Sequence, residues 1–229
     1  MGADIIDTNG SVQSGIEYVS RGGQKLEKAL DFFKISPEDK VCIDCGASTG
    51  GFTDCLLNRG AKLIYAIDVG YGQLAWKLRN DERVITMERT NIRYVTTDMF
   101  KIKPEFAVID VSFISLALVL PVIRELLTEP GEVVSLIKPQ FEAGRGKVGK
   151  KGVVRDPQIH KEVLDAFIEN AGKSGFTVKD LTYSPVKGPK GNIEFLGLLG
   201  ADDKQNKVGD NVVIDTKKLV FESHKELAG

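Results

Sequence analysis

The chain has 229 residues, enough to bury one full hydrophobic core, and we expect one domain with extensions. Hydrophobic residues make up 42% and charged residues 28% of the chain, as is ordinary for a globular protein in water. No apolar run approaches the ~18 residues of a membrane helix, and the N-terminus lacks the basic and then apolar order of a signal peptide. Three cysteines cannot all pair within one chain, so we predict reduced thiols and a cytoplasmic location without membrane contact.

The predicted elements begin with a helix that follows Arg21-Gly22-Gly23 and turns one apolar face inward. Seven apolar segments then predict strands, at residues 41–45, 63–67, 84–87, 106–109, 133–137, 176–183 and 193–199. Helix-length segments separate most of them, and the clearest helix begins at Asp156-Pro157, an N-cap followed by proline. This alternation is typical of a mainly parallel sheet that helices cover on both faces.

The last two predicted strands depart from this alternation. Only nine residues, 184–192, join them, which is too few for a helical crossover between parallel strands. We therefore expect these two strands to be antiparallel. The predicted fold is α/β, with a seven-stranded, mostly parallel sheet, one antiparallel edge strand and helices on both faces.

The segment VCIDCGASTGGFTDCLL, residues 41–57, is the strongest indication of a binding site. A predicted strand leads into a glycine-rich turn, and the residues after the turn can continue as a helix. Such a turn lets a ligand lie against bare backbone, and the helix N-terminus presents free N–H groups. We predict that the turn binds a cofactor through Asp44, Gly46, Ala47, Ser48, Thr49, Gly50 and Gly51.

Asp68 narrows the identity of the cofactor. It ends the second strand, 22 residues after Gly46, where an acid accepts hydrogen bonds from ribose hydroxyls. The turn reads G-x-x-x-G-G, which differs from the dinucleotide pattern G-x-G-x-x-G and lacks the lysine of a P-loop. A glycine turn headed by an acid suits a cofactor with an amino group and no pyrophosphate, such as S-adenosyl-L-methionine. A tight turn that serves packing alone is the alternative.

Cys42 and Cys45 form a C-x-x-C motif, which occurs in metal and redox sites. In a strand, however, side chains three residues apart point to opposite faces. The chain has no second cysteine pair and only two histidines, His160 and His224. We therefore predict thiols that serve packing, and no metal.

Residues 138–155 carry an excess of basic side chains, with Glu142 as the single acid and four glycines between them. The net charge of −1 argues against a stand-alone nucleic-acid binder, but the local charge distribution matters more. The segment is either a flexible, solvated loop or a mobile basic lid that binds phosphate groups.

Five segments resemble a known family. They are YVSRGGQKLEKAL (18–30), DCGASTGGFTDCLL (44–57), YAIDVGYGQLAWKLRNDERV (65–84), ERTNIR (88–93) and GPKGNIEFL (188–196). They closely resemble the TlyA family, whose members are often named hemolysin A and belong to the FtsJ-like RNA 2′-O-methyltransferases. The resemblance covers about residues 18–200 and implies a Rossmann-like methyltransferase fold that uses S-adenosyl-L-methionine. It also implies ribosomal RNA, or a ribosomal subunit, as the partner that is methylated on a ribose 2′-hydroxyl.

The resemblance also implies a domain organisation. We expect a linker remnant at residues 1–17, the S-adenosylmethionine-dependent methyltransferase domain at 18–200, and a C-terminal extension with a helix at 201–229. Members of the family usually carry an S4-type RNA-binding domain before YVSRGG, and we expect this chain to lack it.

A Lys-Asp-Lys-Glu tetrad serves catalysis in FtsJ-like enzymes, and the matching residues are Lys25, Asp110, Lys138 and Glu194. Lys138 either takes the proton of the ribose hydroxyl or stays cationic and stabilises the developing alkoxide. Asp110 is also expected near the methionine part of the cofactor, and Val69 and Asn91 near its adenine. The candidate RNA-binding residues are Arg21, Arg145, Lys147, Lys150, Lys151 and Arg155.

Other classes of function stay open at this point. The hemolysin name suggests a membrane-active, pore-forming protein, although the sequence shows no spanning helix and no export signal. A nicotinamide-dependent oxidoreductase can use a similar sheet, although such a sheet is usually all parallel. A catalytically idle RNA-binding module is a further alternative, against which the intact tetrad argues.

Overall fold

The structure is a computed structural model that describes residues 5–6, 12–13, 17–144, 146–201 and 214–227. Two short strands, β1 (Ile5–Ile6) and β2 (Val12–Gln13), pair antiparallel. The other elements are, in chain order, α1 (Gly22–Phe33), β3 (Val41–Cys45), α2 (Gly51–Asn58), β4 (Leu63–Ile67), α3 (Trp76–Arg79), β5 (Val84–Met87), β6 (Phe106–Ile109), α4 (Leu116–Leu126), β7 (Gly131–Ile137), α5 (Pro139–Glu142), α6 (Pro157–Lys173), β8 (Thr177–Tyr183), β9 (Phe195–Ala201) and α7 (Thr216–Leu227). Most of the predicted N-terminal linker, and residues 202–213 of the predicted extension, lie outside the described residues.

Seven strands form one sheet in the order β5-β4-β3-β6-β7-β9-β8. β3 to β7 run parallel, as the strand and helix alternation predicts. After β3, the next two strands, β4 and β5, are added on one side of it. The chain then crosses to the other side of β3, where β6 pairs with it. Ligands bind at such a switch in strand order, beyond the carboxyl ends of the strands. All seven predicted strands are present, and the predicted α/β class is confirmed.

The position of the antiparallel strand corrects one detail of the prediction. β9 is the reversed strand, but it lies between β7 and β8 and is hydrogen-bonded to both, so the edge strand is β8. The reason is burial: all seven residues of β9 are buried, whereas β8 is largely half-buried or exposed. An all-apolar strand without an exposed face is stable only in the sheet interior.

Each face of the sheet has its own hydrophobic core. The side chains of β3 alternate between them, so that Cys45 packs with α4 and α6 while Cys42 packs with α1 and α2. All three cysteines are free and buried, and burial raises the pKa of the Cys42 thiol to about 12. The predicted opposite orientation of Cys42 and Cys45, and their role in packing, are confirmed.

Helices α6 and α7 pack together on the face opposite α1 and α2, which α4 also covers. The N-cap predicted for α6 is present, since the Asp156 carboxylate accepts the N–H of Gln158 at 2.8 Å. α7 packs against α6, where the ring nitrogens His160 Nδ1 and His224 Nε2 lie 2.8 Å apart. The helix expected in the C-terminal extension is therefore present as α7.

Candidate active site

The glycine-rich turn lies at the carboxyl end of β3, beside the loop that follows β6. Gly46 has a φ of +88°, and a Cβ atom there would stand 2.4 Å from the carbonyl oxygen of Asp110. Gly50 has a φ of +98°, and its Cβ would stand 2.2 Å from Leu78. Both positions therefore require glycine for internal reasons of conformation and packing. The result is a bare backbone that can approach a ligand closely.

Asp68 supports this turn from the end of β4. One carboxylate oxygen accepts the N–H of Ser48 at 2.8 Å, and the other accepts the N–H of Gly70 at 2.6 Å. Each oxygen of a carboxylate can accept more than one hydrogen bond. Asp68 is thus held against the turn with acceptor capacity left for the hydroxyls of a ribose.

Asp44 lies fully buried beneath the turn. Its Oδ2 accepts a hydrogen bond from the Thr53 hydroxyl at 2.6 Å, whereas Oδ1 has no partner among the described residues. Burial raises the pKa of Asp44 to about 7, against the opposing effect of the Thr53 hydrogen bond. An unpaired buried acceptor is costly, and a ligand that donates a hydrogen bond at the turn would relieve that cost.

The four tetrad residues form two ion pairs. Lys138 Nζ lies 2.5 Å from Asp110 Oδ1 and also donates a hydrogen bond to Ser112 Oγ at 2.9 Å. Lys25 Nζ lies 2.5 Å from Glu194 Oε2. Both lysines are at least nine-tenths buried, and Glu194 is fully buried. Buried charges persist only when they are paired in this way.

The sheet topology explains how four distant residues meet. Asp110 follows β6 and Lys138 follows β7, so both lie at the carboxyl edge of the parallel strands. Glu194 precedes β9, and because β9 runs in the opposite direction, its first residue lies at the same edge. Lys25 is carried to this edge by the first turns of α1.

All four tetrad residues and the glycine turn line a single cavity of about 270 Å³. The lining residues are Ser20, Arg21, Gly22, Lys25, Gly46, Ala47, Ser48, Thr49, Gly51, Phe52, Asp110, Ser112, Lys138, Gly188, Pro189 and Glu194. Backbone from the turn and charged side chains from the tetrad therefore face the same space. Such a site can hold a small cofactor beside a group that reacts with it.

Sequence reasoning missed four residues around this cavity. Ser112 holds Lys138, and the Gln140 amide donates to Glu194 Oε1 at 3.0 Å. Gly188 packs against Glu194 so closely that a Cβ there would stand 2.0 Å from Oε1. Phe113 is 90% exposed, with a φ of +64° and its ring centroid 4.9 Å from that of Phe141. The sequence does offer a signal for Ser112, Phe113 and Gln140. Each lies only two or three residues from Asp110 or Lys138, so its closeness to the tetrad could have identified it.

Some predicted site residues lie outside the cavity. Val69 is 70% exposed at the end of β4. Asn91 caps a short 3₁₀ turn at Ile92–Tyr94, where its side-chain oxygen accepts the N–H of Arg93 at 3.1 Å. Trp76 is not among the predicted site residues, but it is 77% exposed at the start of α3, although tryptophan usually packs in the core. The apolar positions of this segment that pack inward are Leu74 and Leu78.

The predicted RNA-binding residues fall into separate places. Arg21 lines the active-site cavity. Lys147, Lys150, Lys151 and Arg155 line a second hollow, of about 320 Å³, at the start of α6. Lys147 also forms a 2.7 Å ion pair with Glu162 on α6. Arg145 lies outside the described residues.

The described residues offer neither a membrane-spanning helix nor a group of metal ligands. No helix in the described part of the chain has the length and apolar content that crossing a membrane requires. Across residues 17–144, 146–201 and 214–227, acidic, cysteine and histidine side chains form no group of three or more that could hold a metal ion.

Comparison with known proteins decides the family. The model of the FtsJ-like methyltransferase family matches residues 18–201. The chain belongs to the FtsJ-like methyltransferase family. It is 55% identical over 213 residues to "Putative rRNA methyltransferase YqxC" of Bacillus subtilis, across 93% of this chain and 76% of that protein.

Two further relatives carry different names. This FtsJ-like methyltransferase is 48% identical over 178 residues to "16S/23S rRNA (cytidine-2'-O)-methyltransferase TlyA" of Mycobacterium tuberculosis, across 78% of this chain and 66% of that one. A solved structure, "Putative hemolysin from Streptococcus thermophilus", superposes with a TM-score of 0.88 at 48% identity, covering 96% of this chain and 82% of the other. The resemblance to the TlyA family is thus confirmed.

Family membership identifies the reaction as methyl transfer and the cofactor as S-adenosyl-L-methionine, in agreement with both expectations. It decides against the nicotinamide-dependent oxidoreductase. The residues fit this cofactor: a bare turn, an acid with free acceptor capacity at the end of β4, and an unpaired buried acceptor beneath the turn.

Proposed function

We propose that this FtsJ-like methyltransferase methylates a ribose 2′-hydroxyl of ribosomal RNA. The observation that carries the proposal is the meeting of two lysine–carboxylate pairs with the glycine turn in one cavity. The names of the Bacillus and Mycobacterium relatives support ribosomal RNA as the substrate. The match over residues 18–201 supports 18–200 as the catalytic domain.

The cofactor residues in this proposal follow the turn and the neighbouring strand ends. The backbone of residues 46–51 faces the cofactor, with Asp44 beneath it, and Asp68 accepts hydrogen bonds from its ribose hydroxyls. Asp110 is placed for its amino group, and Val69 and Asn91 for its adenine. When bound, S-adenosyl-L-methionine supplies an electrophilic methyl group on a sulfonium centre.

Lys138 acts on the acceptor hydroxyl. Its ammonium group pairs with Asp110 and donates to Ser112, and these two contacts use two of its three N–H donors. The third donor is available for the ribose 2′-oxygen. Because this donor is available, we assign Lys138 the cationic role, in which it stabilises the negative charge that develops on the 2′-oxygen as the hydroxyl proton is released to solvent.

Lys25 and Glu194 complete the site from the opposite side. Their buried pair is held further by Gln140, so its position is well determined. We assign to this pair the orientation of the ribose, because in-line alignment of the hydroxyl with the methyl group supplies much of the rate. Both residues line the cavity with Lys138.

The RNA contacts in this proposal extend outward from the cavity. Phe113 offers an exposed ring next to Ser112 on which a base beside the target ribose can stack. Arg21 at the cavity and the basic segment with Lys150 and Lys151 are assigned to phosphates.

The test is transfer of a labelled methyl group to unmodified ribosomal RNA, followed by mapping of ribose 2′-O-methyls. The Lys138→Ala variant should bind S-adenosyl-L-methionine with the affinity of wild type and lose transfer by at least about 100-fold, since it lacks the charge that stabilises the 2′-oxygen. Lys173→Ala, at an exposed lysine in the last turn of α6 that lines neither hollow, serves as the control variant and should keep transfer.

Two outcomes would refute the proposal. One is wild-type-like transfer by Lys138→Ala. The other is methylation of a base, or of no RNA at all, by the wild-type protein. Leakage of liposomes on addition of the purified protein would instead favour the membrane-active function that the hemolysin name suggests.

A further inference from the structure

A surface of arginine and tyrosine side chains lies at the carboxyl ends of β4 and β5. It consists of Tyr71, Arg89, Arg93 and Tyr94, and we call it the arginine–tyrosine surface. Tyr71 belongs to the loop after β4, and the other three residues follow β5. None of the four lines the active-site cavity.

Backbone hydrogen bonds hold these two loops together beside the cofactor turn. The N–H of Arg89 donates to the carbonyl of Gly70, and that of Thr90 to the carbonyl of Asp68, both at 2.9 Å. Asp68 in turn accepts the N–H of Ser48 in the turn. These backbone hydrogen bonds therefore fix the two loops that carry the surface next to the active site.

The aromatic rings of this surface are unusually open to solvent. Tyr71 is 68% exposed and Tyr94 is 71% exposed. Trp76, the first residue of the helix that follows this loop, is 77% exposed. Burial of such exposed aromatic rings by a partner is favourable.

The arginines of this surface are free of carboxylate partners within the described residues. The Arg89 guanidinium lies 4.3 Å from the ring centroid of Tyr71, and Arg93 lies 5.5 Å from that of Tyr94 and donates to its hydroxyl. By contrast, the neighbouring Arg79 is tied to Glu88 by two hydrogen bonds. Arg89 and Arg93 can therefore bind anionic groups of a partner.

We propose that the arginine–tyrosine surface binds single-stranded RNA that flanks the methylated nucleotide. Aromatic rings stack on bases, and guanidinium groups bind phosphates and stack on bases as well, which is the combination that this surface presents. Glu88, which precedes Arg89 in the chain, is paired with Arg79 and does not bind either arginine of this surface. The inference rests on the proposed function for the identity of the RNA.

The experiment measures the affinity of the full chain for protein-free RNA by fluorescence anisotropy. The probes are a labelled single-stranded RNA of about 16 nucleotides and an unmodified ribosomal RNA transcript. The variants are Arg89→Glu, which reverses the charge, and Tyr71→Ala, which removes a ring. Lys173→Glu is the matched control, because Lys173 is an exposed cation in the last turn of α6, at the opposite edge of the sheet.

We expect Arg89→Glu to weaken RNA binding by about tenfold and Tyr71→Ala by about fivefold. Lys173→Glu should stay within about twofold of wild type, the usual range for a cation outside the binding surface. The affinity for S-adenosyl-L-methionine and the melting temperature should stay at their wild-type values in all three variants.

Unchanged RNA affinity in both Arg89→Glu and Tyr71→Ala would overturn the inference. Loss of methylation on ribosomal subunits, with unchanged affinity for protein-free RNA, would overturn it in favour of a protein partner. If the surface variants bind RNA more weakly but wild type transfers no methyl group, the proposed function fails and this surface remains an RNA-binding site.

Discussion

Lys25 and Glu194 form a buried ion pair, although 169 residues separate them in the chain. The Nζ and Oε2 atoms lie 2.5 Å apart, and Gln140 donates to the second oxygen of Glu194. Removal of one partner from such a pair leaves a buried charge uncompensated and typically costs about 3–5 kcal/mol of stability. The pair thus stabilises the start of β9 against α1 and, at the same time, places a charged group at the active site.

Gly188→Ala should disable methyl transfer without a direct change to the tetrad. An added Cβ would stand 2.0 Å from Glu194 Oε1, so the carboxylate must move. The φ of −69° at this position suits alanine, and the effect is therefore steric. We expect kcat to fall by about 100-fold, as for a displacement of about 1 Å in an active site.

The matched control for this variant is Gly172→Ala. Gly172 lies in α6, and a Cβ there meets no atom within 4 Å. This variant should keep the wild-type kcat and gain slightly in melting temperature, because alanine favours a helix more than glycine does. A wild-type kcat in Gly188→Ala would show that Glu194 tolerates displacement.

Asp68→Ala should weaken the binding of S-adenosyl-L-methionine. The variant loses the acceptor for a ribose hydroxyl and also the support of the turn through the N–H of Ser48. Hydrogen bonds to a charged group contribute about 1.5–3 kcal/mol, so we expect at least a tenfold rise in Kd by calorimetry. Asp98→Ala, at an exposed acid beyond β5, should leave Kd unchanged. Equal affinity in the two variants would remove Asp68 from the cofactor site.

Phe113→Ala should raise the KM for RNA and leave the affinity for S-adenosyl-L-methionine unchanged. The exposed ring lies beside the residue that holds Lys138, and loss of one base-stacking contact costs about 1–3 kcal/mol. We expect an increase of about tenfold in steady-state assays. Phe221→Ala removes an equally large ring that is 70% exposed on α7, and it should behave as wild type. A shared increase in both variants would point to a non-specific effect of lost aromatic surface.

The stability of the protein should fall in mild acid through His160. Burial, and then the neighbouring His224, lower the pKa of His160 to about 4 in the folded state, below the ~6.5 of an unfolded chain. Below pH ~6.5 the unfolded state therefore binds a proton that the folded state does not. The free energy of unfolding should decrease by about 1.4 kcal/mol per pH unit from pH ~6.5 down to ~4 because of this group.

The variant His160→Gln tests this account, since glutamine does not titrate. Denaturant titrations at several pH values should show that the contribution described above disappears, whatever the stability of the variant at neutral pH. The same slope in wild type and variant would assign the acid sensitivity to other groups.

Local sequence patterns predicted much of the fold. Hydrophobic periodicity marked all seven strands of the large sheet, and the nine-residue connection predicted the antiparallel pair. Trp76 is an exception, because core packing is the usual expectation for a tryptophan and this one is exposed. This residue lies in a short, irregular segment, and such a segment has no hydrophobic periodicity. The sequence therefore does not show whether the aromatic side chain packs in the core or is exposed.

From the sequence we could predict the glycine turn, the acid at Asp68 and, through the family resemblance, the four tetrad residues. These features depend on short segments, in which turn chemistry and motif spacing are visible. Three other features appear only in the folded protein: β9 inserts between β7 and β8, Lys25 pairs with Glu194 and Lys138 with Asp110, and Gly188 and Gln140 restrain Glu194. Those contacts join residues that are distant in the chain, and they follow from strand order and burial, which no local pattern specifies.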